Sequence, residues 1–326
     1  MKNKKAILFI SPDFFNYHEL IRQDLANQGH TVYFLSDRPS KAAIIKVLIR
    51  KFRFFLTPYL NRHYEKIFSQ IPSDIDEVFI IKGEALTPAI VNKMKSRFGR
   101  ARFQIYLWDS VRNNPSALRL TPLMNRVFTF DFDDARVHRD WRFISNFYSA
   151  NDVTLPPAPV HWHLTFIGTT HSDRLKVLAK ISKNLPKNMR FYRFAYFQTP
   201  LLYYFRKIFD PTFKQLRPDE MGFKPLLGDE RQKVLSSTVA ILDIHHPKQT
   251  GTSHRAIECM AMGLKLVTTN ERIREYPFYD ERLVQIIDRN NPQIESAFLQ
   301  SRANLPVPTA IFACELRQWL TTIFSE

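Results

Sequence analysis

The sequence predicts two α/β domains, each a parallel sheet wound on both faces by helices. Three observations carry this. Short, wholly apolar runs alternate with helical stretches from the start of the chain, as strands buried on both faces of a parallel sheet require. The alternation breaks at Asn151-Asp-Val-Thr-Leu-Pro-Pro-Ala-Pro-Val-His-Trp-His163, where clustered prolines mark a linker. After that break the pattern restarts. With 326 residues, 44% hydrophobic and 13% aromatic, the chain is globular and long enough for two cores.

Ala6–Ile10 reads as the first strand, residues 11–16 as a polar loop, and Tyr17–Asn27 as a helix punctuated by Gly29. Thr31–Leu35 is the second strand, and this order is how a doubly wound domain opens. Glu77–Ile81, Phe103–Leu107 and Val127–Phe130 continue the sheet, and Thr87-Pro88 starts a helix running to about Phe98. Past the linker, Leu164–Ile167 is a strand, Gly168-Thr-Thr-His171 a tight loop and Asp173–Asn184 a helix. A strand at Val239–Ile244, a helix at Ser253–Met262 closed by Gly263, and a strand at Lys265–Thr268 complete the second pattern. The expected divisions are residues 1–155, 156–308 and a closing helix, 309–326, that packs back on the first domain.

Lys and Arg exceed Asp and Glu by 47 − 31 = 16, which points to anionic partners. No recognised nucleic-acid module appears, so nucleic acid is not the expected partner. Two cysteines, Cys259 and Cys314, make a disulfide framework unexpected and suit a reducing, cytoplasmic compartment. The apolar run near the N-terminus ends at Ser11-Pro12-Asp13, too soon for a signal peptide. No window is long and apolar enough to span a bilayer, so any membrane contact is expected to be peripheral. Lys41–Lys66 is the segment suited to it, with seven Lys or Arg against one Glu among interleaved Ile, Leu and Phe. Each basic residue near an anionic leaflet adds about 1 kcal/mol. Leu201–Phe209 is a second such patch. A core helix with a solvated basic face explains the same pattern without a membrane.

The stretch richest in chemistry is Ala240–Asn270. A buried strand ends in a polar loop whose Gly251, Thr252 and Ser253 lead straight into a helix. Backbone N–H groups and the positive end of the helix dipole meet there and favour phosphate. Gly251 lets a ligand approach the backbone, and Thr252 or Ser253 either caps the helix or donates to phosphate. Arg255 supplies charge for a departing diphosphate, and Glu258 shares its face, a carboxylate suited to a ribose diol. By geometry alone, a plain N-cap and a surface ion pair account for the same residues.

Gln249-x-Gly251-x-x-x-Arg255-x-x-Glu258, followed by Gly263-x-Lys265-x-Val267-Thr-Thr-Asn270, resembles the donor-binding segment of bacterial GT-B glycosyltransferases. The likeness is strongest to those of capsule and lipopolysaccharide synthesis, and Leu107-Trp-Asp-Ser110 and Phe128-Thr-Phe-Asp131 agree with it. The resemblance implies two Rossmann-like domains facing a cleft, the second binding a nucleotide-sugar. It also implies that the Gly168-Thr169 loop meets the donor phosphates, with Lys224 and Lys248 assisting Arg255. The chain departs from the common retaining pattern of two glutamates eight positions apart: eight before Glu258 stands Thr250.

For the base that deprotonates an acceptor hydroxyl, Asp13 and His18 flank the loop after the first strand, and Asp109 follows the strand Phe103–Leu107. Asp131-Phe-Asp133 spells a metal-binding Asp-x-Asp, but a turn and helix cap explains Asp131 and Asp134 better. No zinc spacing is present, His161 and His163 read as solvated linker residues, and no metal or other cofactor is expected. The expected activity is transfer of a sugar from a nucleotide-sugar to a lipid-linked, lipopolysaccharide or capsule acceptor at the inner membrane face. A nucleotide-sugar epimerase of the same fold and a non-catalytic basic membrane- or nucleic-acid-binding protein are the rivals.

Overall fold

The computed structural model describes residues 4–13, 15–39, 49, 53–197, 199–209, 213 and 217–325. They form two compact units, Met1–Ser145 with Leu320–Glu326, and Asn146–Trp319.

The first unit is a six-stranded parallel sheet in the order β2-β1-β3-β4-β5-β6. Its strands are β1 (Ala6–Ser11), β2 (Thr31–Ser36), β3 (Glu77–Ile81), β4 (Arg102–Leu107), β5 (Arg126–Thr129) and β6 (Arg142–Phe143). Ile7 to Ile10 and Val78 to Ile81 are fully buried, which is why they lack polar alternation. Helices α1 (Tyr17–Asn27), α2 (Arg53–Phe68), α3 (Pro88–Arg97) and α4 (Phe132–Val137) connect them. Thr87 caps α3 by accepting from the Ile90 N–H, as the Thr-Pro signal requires. Four of the seven basic residues of the segment Lys41–Lys66 (Lys41, Lys46, Arg50 and Lys51) lie outside the described residues; α2 holds the other three.

The second unit is a six-stranded parallel sheet in the order β12-β11-β10-β7-β8-β9. Its strands are β7 (Trp162–Thr169), β8 (Phe191–Tyr196), β9 (Met221–Gly222), β10 (Thr238–Asp243), β11 (Lys265–Thr268) and β12 (Val284–Ile286). Its helices are α5 (Ala150–Val153), α6 (Arg174–Asn184), α7 (Pro200–Phe209), α8 (Gly228–Ser236), α9 (His254–Ala261), α10 (Ser296–Leu299) and the start of α11 (Leu316–Phe324).

Two expectations are corrected. The closing helix is not continuous from 309: a 3-10 turn at Thr309–Cys314 ends in extended Glu315, and only then does α11 begin. The break has a cause, since Glu315 bridges Tyr148, with Tyr148 donating to the Cys314 carbonyl and Leu316 to the Tyr148 carbonyl. The end of α11 then belongs to the first unit, where the Phe324 ring lies edge-on to Phe79 at 5.4 Å. The linker is also shorter than its prolines imply. His163 is a strand residue whose Nδ1 accepts from the Arg190 N–H at 3.0 Å, while His161 is exposed.

Each sheet reverses its winding once, between β1 and β3 in the first unit and between β7 and β10 in the second. Open α/β sheets bind ligands outside the carboxyl ends of strands at such points. The loops after these four strands carry most of the residues singled out from sequence.

Candidate functional site

In the second unit, β10 ends at Asp243, buried with 3% exposure. The loop beyond it is tied down before α9 starts. Asn146 Nδ2 donates to the Thr252 carbonyl at 2.9 Å, and Asn270 Nδ2 donates to the carbonyls of Thr250 at 3.2 Å and Gly251 at 3.4 Å. The Thr252 N–H donates to the Tyr276 hydroxyl at 2.9 Å. Ser253 is the N-cap of α9: its Oγ accepts from the Ala256 N–H at 3.1 Å and donates to Asp243 Oδ1 at 2.8 Å. Of the two hydroxyls considered from sequence, Ser253 therefore caps the helix. The Thr252 hydroxyl is buried, with no hydrogen-bond partner on its Oγ1. A buried polar atom left unsatisfied beside a helix N-terminus is a feature that calls for a missing partner.

Across the reversal, the loop after β7 meets the loop after β10 through Arg174. Its Nε donates to the Ile244 carbonyl at 2.6 Å, and its Nη1 to Thr169 at the carbonyl (3.2 Å) and Oγ1 (3.3 Å). Burial pulls this guanidinium down to about 10. Arg289, just past β12, grips Asp173 with Nε at 2.8 Å and Nη2 at 2.9 Å, and donates to the His245 carbonyl at 2.6 Å. Its hydrogen bonds are the first cause of the lowered pKa of Asp173. His245 donates or accepts at Thr269 Oγ1 at 2.8 Å, and burial pushes its pKa down to about 4. The rings of His171 and His246 face each other over the same gap at 5.2 Å. The crevice floor is thus laced by arginines, a setting that raises local anion concentration.

Gly168 lies on this rim for a packing reason: a Cβ there would meet the Phe166 ring at 2.9 Å. Thr169 holds Arg174, as above. Gln249 donates its N–H to the His246 carbonyl at 3.0 Å, shaping the loop. Lys248 is exposed beside it. Lys224 is exposed two residues past the edge strand β9, three strand spacings or about 14 Å of sheet from β10.

Arg255 and Glu258 do share a face of α9, at 2.9 Å. The pair is not a surface one. Glu258 is 1% exposed, and the same oxygen, Oε2, accepts from Arg231 of α8 at 2.9 Å. Where a ribose diol would need an open carboxylate, the structure covers this one with two guanidiniums. Asp152 of α5 completes the group: burial raises its pKa, Arg231 and Arg255 pull it down, and Glu258 pushes it up.

In the first unit, His18 Nε2 lies 3.7 Å from Asp13 Oδ1, and the ring stacks on Phe34 with centroids 5.2 Å apart. The His18 Nδ1 is buried without a hydrogen-bond partner. Asp109 is otherwise engaged: Lys82 Nζ stands 2.5 Å from Oδ2, and Asn113 Nδ2 donates to Oδ1 at 3.1 Å. Asp131 caps α4, accepting from the N–H groups of Asp133 at 3.1 Å and Asp134 at 3.2 Å, and Asp134 accepts from the Val111 N–H at 2.8 Å. Burial raises the Asp134 pKa to about 6. Among the described residues no group of three or more His, Cys, Asp or Glu is placed to hold a metal ion, and no helix is long and apolar enough to cross a membrane. Both cysteines are buried, and neither is in a disulfide.

Sequence reasoning missed Arg174, Arg231, Asp243, Arg289 and Tyr276, and it placed Asn270 in the motif without giving it a role. Only Asp243 left a signal, an acid closing a wholly apolar strand just ahead of the loop.

No family model matches the chain, and no curated protein matches it. Solved structures do. A glycosyltransferase from Rickettsia africae is 13% identical with a TM-score of 0.55, covering 98% of this chain and 92% of that one. HepE of Anabaena, solved with UDP and glucose, is 10% identical with a TM-score of 0.55, covering 98% and 96%. Sucrose-phosphate synthase of Thermosynechococcus elongatus is 11% identical with a TM-score of 0.56, covering 99% and 95%. The chain shares the GT-B fold of these glycosyltransferase structures, with two parallel-sheet α/β units.

Proposed function

We propose that the protein is a glycosyltransferase that takes a sugar from a nucleotide-sugar donor. The observation that supports this most is the second unit's reversal point. There the tethered Gly251–Ser253 loop, the α9 N-terminus, Arg255 and the buried Thr252 hydroxyl converge on a place suited to a diphosphate. Donors preorganised for a leaving diphosphate stabilise the developing charge of glycosyl transfer. Lys248 and the loop at Thr169 add charge and backbone at its rim. HepE with UDP makes a uridine nucleotide the first ligand to try.

In the first unit, Asp13 and His18 serve as the pair that takes the acceptor's hydroxyl proton, Asp13 orienting the imidazole. No metal is required by this arrangement, since the α9 N-terminus and Arg255 supply the charge. The acceptor is a lipid-linked glycan of the lipopolysaccharide or capsule kind, met at the cytoplasmic face of the membrane. One observation favours that setting: Phe55, Pro58, Tyr59, Arg62 and Lys66 run along one exposed stripe of α2, aromatic at one end and basic at the other.

A thermal-shift panel of UDP, GDP, CMP and ADP tests the donor site. At least one nucleotide is expected to stabilise the protein, and no shift with any of them refutes the reading. Incubation with donor sugar alone separates the epimerase: an altered sugar formed without acceptor would make the protein an epimerase instead.

A further inference from the structure

Glu258 is a buried acid on which two arginines converge, and the two are not equivalent. Arg231 is nearly enclosed, its side chain 8% exposed, whereas Arg255 is 23% exposed at the rim of the loop. Each of the two has a buried Nε with no hydrogen-bond partner, so it is exposure that separates them. A buried carboxylate that loses its only partner is strongly destabilising. If Arg255 were the sole counter-ion of Glu258, any incoming phosphate would have to compete with that carboxylate for the same guanidinium.

We propose that Arg231 is a positioning residue for donor binding: by neutralising Glu258 permanently from α8, it frees Arg255 to turn a guanidinium edge to phosphate. Glu258 in turn sets the resting rotamer of Arg255 and does not itself contact the nucleotide. This deepens the donor-site reading and rests on it. It also gives α8, an element with none of the residues singled out from sequence, a place in the function. The geometry supports the division of labour: both N–H···O distances are 2.9 Å to the same Oε2, which a nearly enclosed donor and a more exposed one share.

The test compares the full chain with R231Q, E258Q and R231Q/E258Q, titrated calorimetrically with whichever nucleotide stabilises the wild type, and followed by steady-state kinetics. In R231Q, Glu258 keeps Arg255 for itself, and nucleotide Kd is expected to rise about tenfold or more. The rise falls on KM more than on kcat. Removing the carboxylate as well restores affinity to within about threefold of wild type, a rescue that a merely structural arginine would not give. R231Q with unchanged Kd, or a double variant as weak as R231Q, overturns the proposal. So does E258Q alone abolishing binding, which would return Glu258 to direct contact with the ribose. Should R231Q fail to fold, E258Q and R231Q/E258Q decide. An arginine acting only through Glu258 leaves these two with equal affinity, and a gap beyond about threefold refutes it. A wild type that binds no nucleotide sinks the donor-site reading, and this proposal with it. A wild type that binds while R231Q binds equally well sinks the role of Arg231 alone.

Discussion

The neighbouring hydroxyls of Thr252 and Ser253 make opposite predictions. Ser253 Oγ accepts from the Ala256 N–H and donates to the buried carboxylate of Asp243. Losing an N-cap costs about 1 kcal/mol, and losing a hydrogen bond to a charged group about 1.5–3 kcal/mol. Ser253→Ala is therefore expected to destabilise by about 3 kcal/mol, or about 6–12 °C in Tm for a unit of this size. Thr252 Oγ1 is buried and unsatisfied, a state that costs about 1–3 kcal/mol when no partner is supplied. Thr252→Val keeps the shape and removes that penalty, so the ligand-free protein gains about 1 kcal/mol, or about 2–4 °C. If the hydroxyl waits for phosphate, the same change weakens nucleotide binding by roughly 10–100-fold, the value of a hydrogen bond to a charged group. Urea denaturation without ligand and calorimetric titration with nucleotide read the two effects separately. Thr252→Val that loses more than about 1 kcal/mol of stability refutes the claim that the hydroxyl is unsatisfied. A stabilised variant with undiminished affinity refutes its role toward the ligand.

Three further outcomes are expected. Burial holds His245 and His254 down to about 4, below the 6.5 of an exposed imidazole. Below about 6.5 the unfolded chain binds protons that the folded one refuses, so stability is complete above that pH and is lost as pH falls toward 4, by up to about 1.4 kcal/mol per unit for each ring. Urea midpoints at pH 7.5, 6 and 5 measure the slope, and His254→Gln should flatten it. His18→Gln and Asp13→Asn should each lower kcat by about 10²–10⁴-fold while nucleotide affinity holds; a turnover unchanged in both would remove the pair from the chemistry. Replacing Phe55 and Tyr59 with Ser, and Arg62 and Lys66 with Glu, should release the protein from anionic vesicles in a flotation assay, with wild-type binding weakening as salt rises. Equal flotation of wild type and variant at every salt concentration would discard the membrane stripe.

The sheets were legible in the sequence because their strands are buried on both faces, and nothing but an unbroken apolar run survives there. Ala6–Ile10, Glu77–Ile81 and Lys265–Thr268 fall within a residue of the observed strands for that reason. The α9 loop was legible because glycine, a capping hydroxyl and a basic residue recur at helix spacing. What could not be read was distance across the chain. Arg231 reaches Glu258 over 27 positions and Arg289 reaches Asp173 over 116, and no local pattern records either. The break at Glu315 was hidden similarly, since it follows from pairing with Tyr148, 167 positions earlier by 315 − 148 = 167. The i,i+3 spacing of Arg255 and Glu258 gave their contact correctly and their burial not at all, because burial depends on α8.

Backbone strain marks the same places by an independent route. Phe15 (φ 45°) and Asn16 (φ 66°) are left-handed in the loop after β1, and Ser172 (φ 51°) in the loop after β7. Asparagine tolerates that region, but a phenylalanine there is costly, on the order of 1–3 kcal/mol, and persists only where the surroundings over-determine it. Both loops follow the opening strand of their sheets, at the reversal of winding where a ligand is expected. In the first unit the strained residues sit between Asp13 and His18 and set the turn that brings carboxylate and imidazole within 3.7 Å. In the second, Ser172 stands next to Asp173 and two residues from Arg174, the side chain that joins the two loops at the reversal. Relaxing Phe15 to glycine would remove the strain while freeing the unfolded chain, two effects of opposite sign. If the strained turn exists to align the pair, Phe15→Gly leaves stability within about 1 kcal/mol of wild type yet lowers turnover as far as His18→Gln does. Turnover that survives the change would mean that the strain serves packing, and that Asp13 and His18 need no such help.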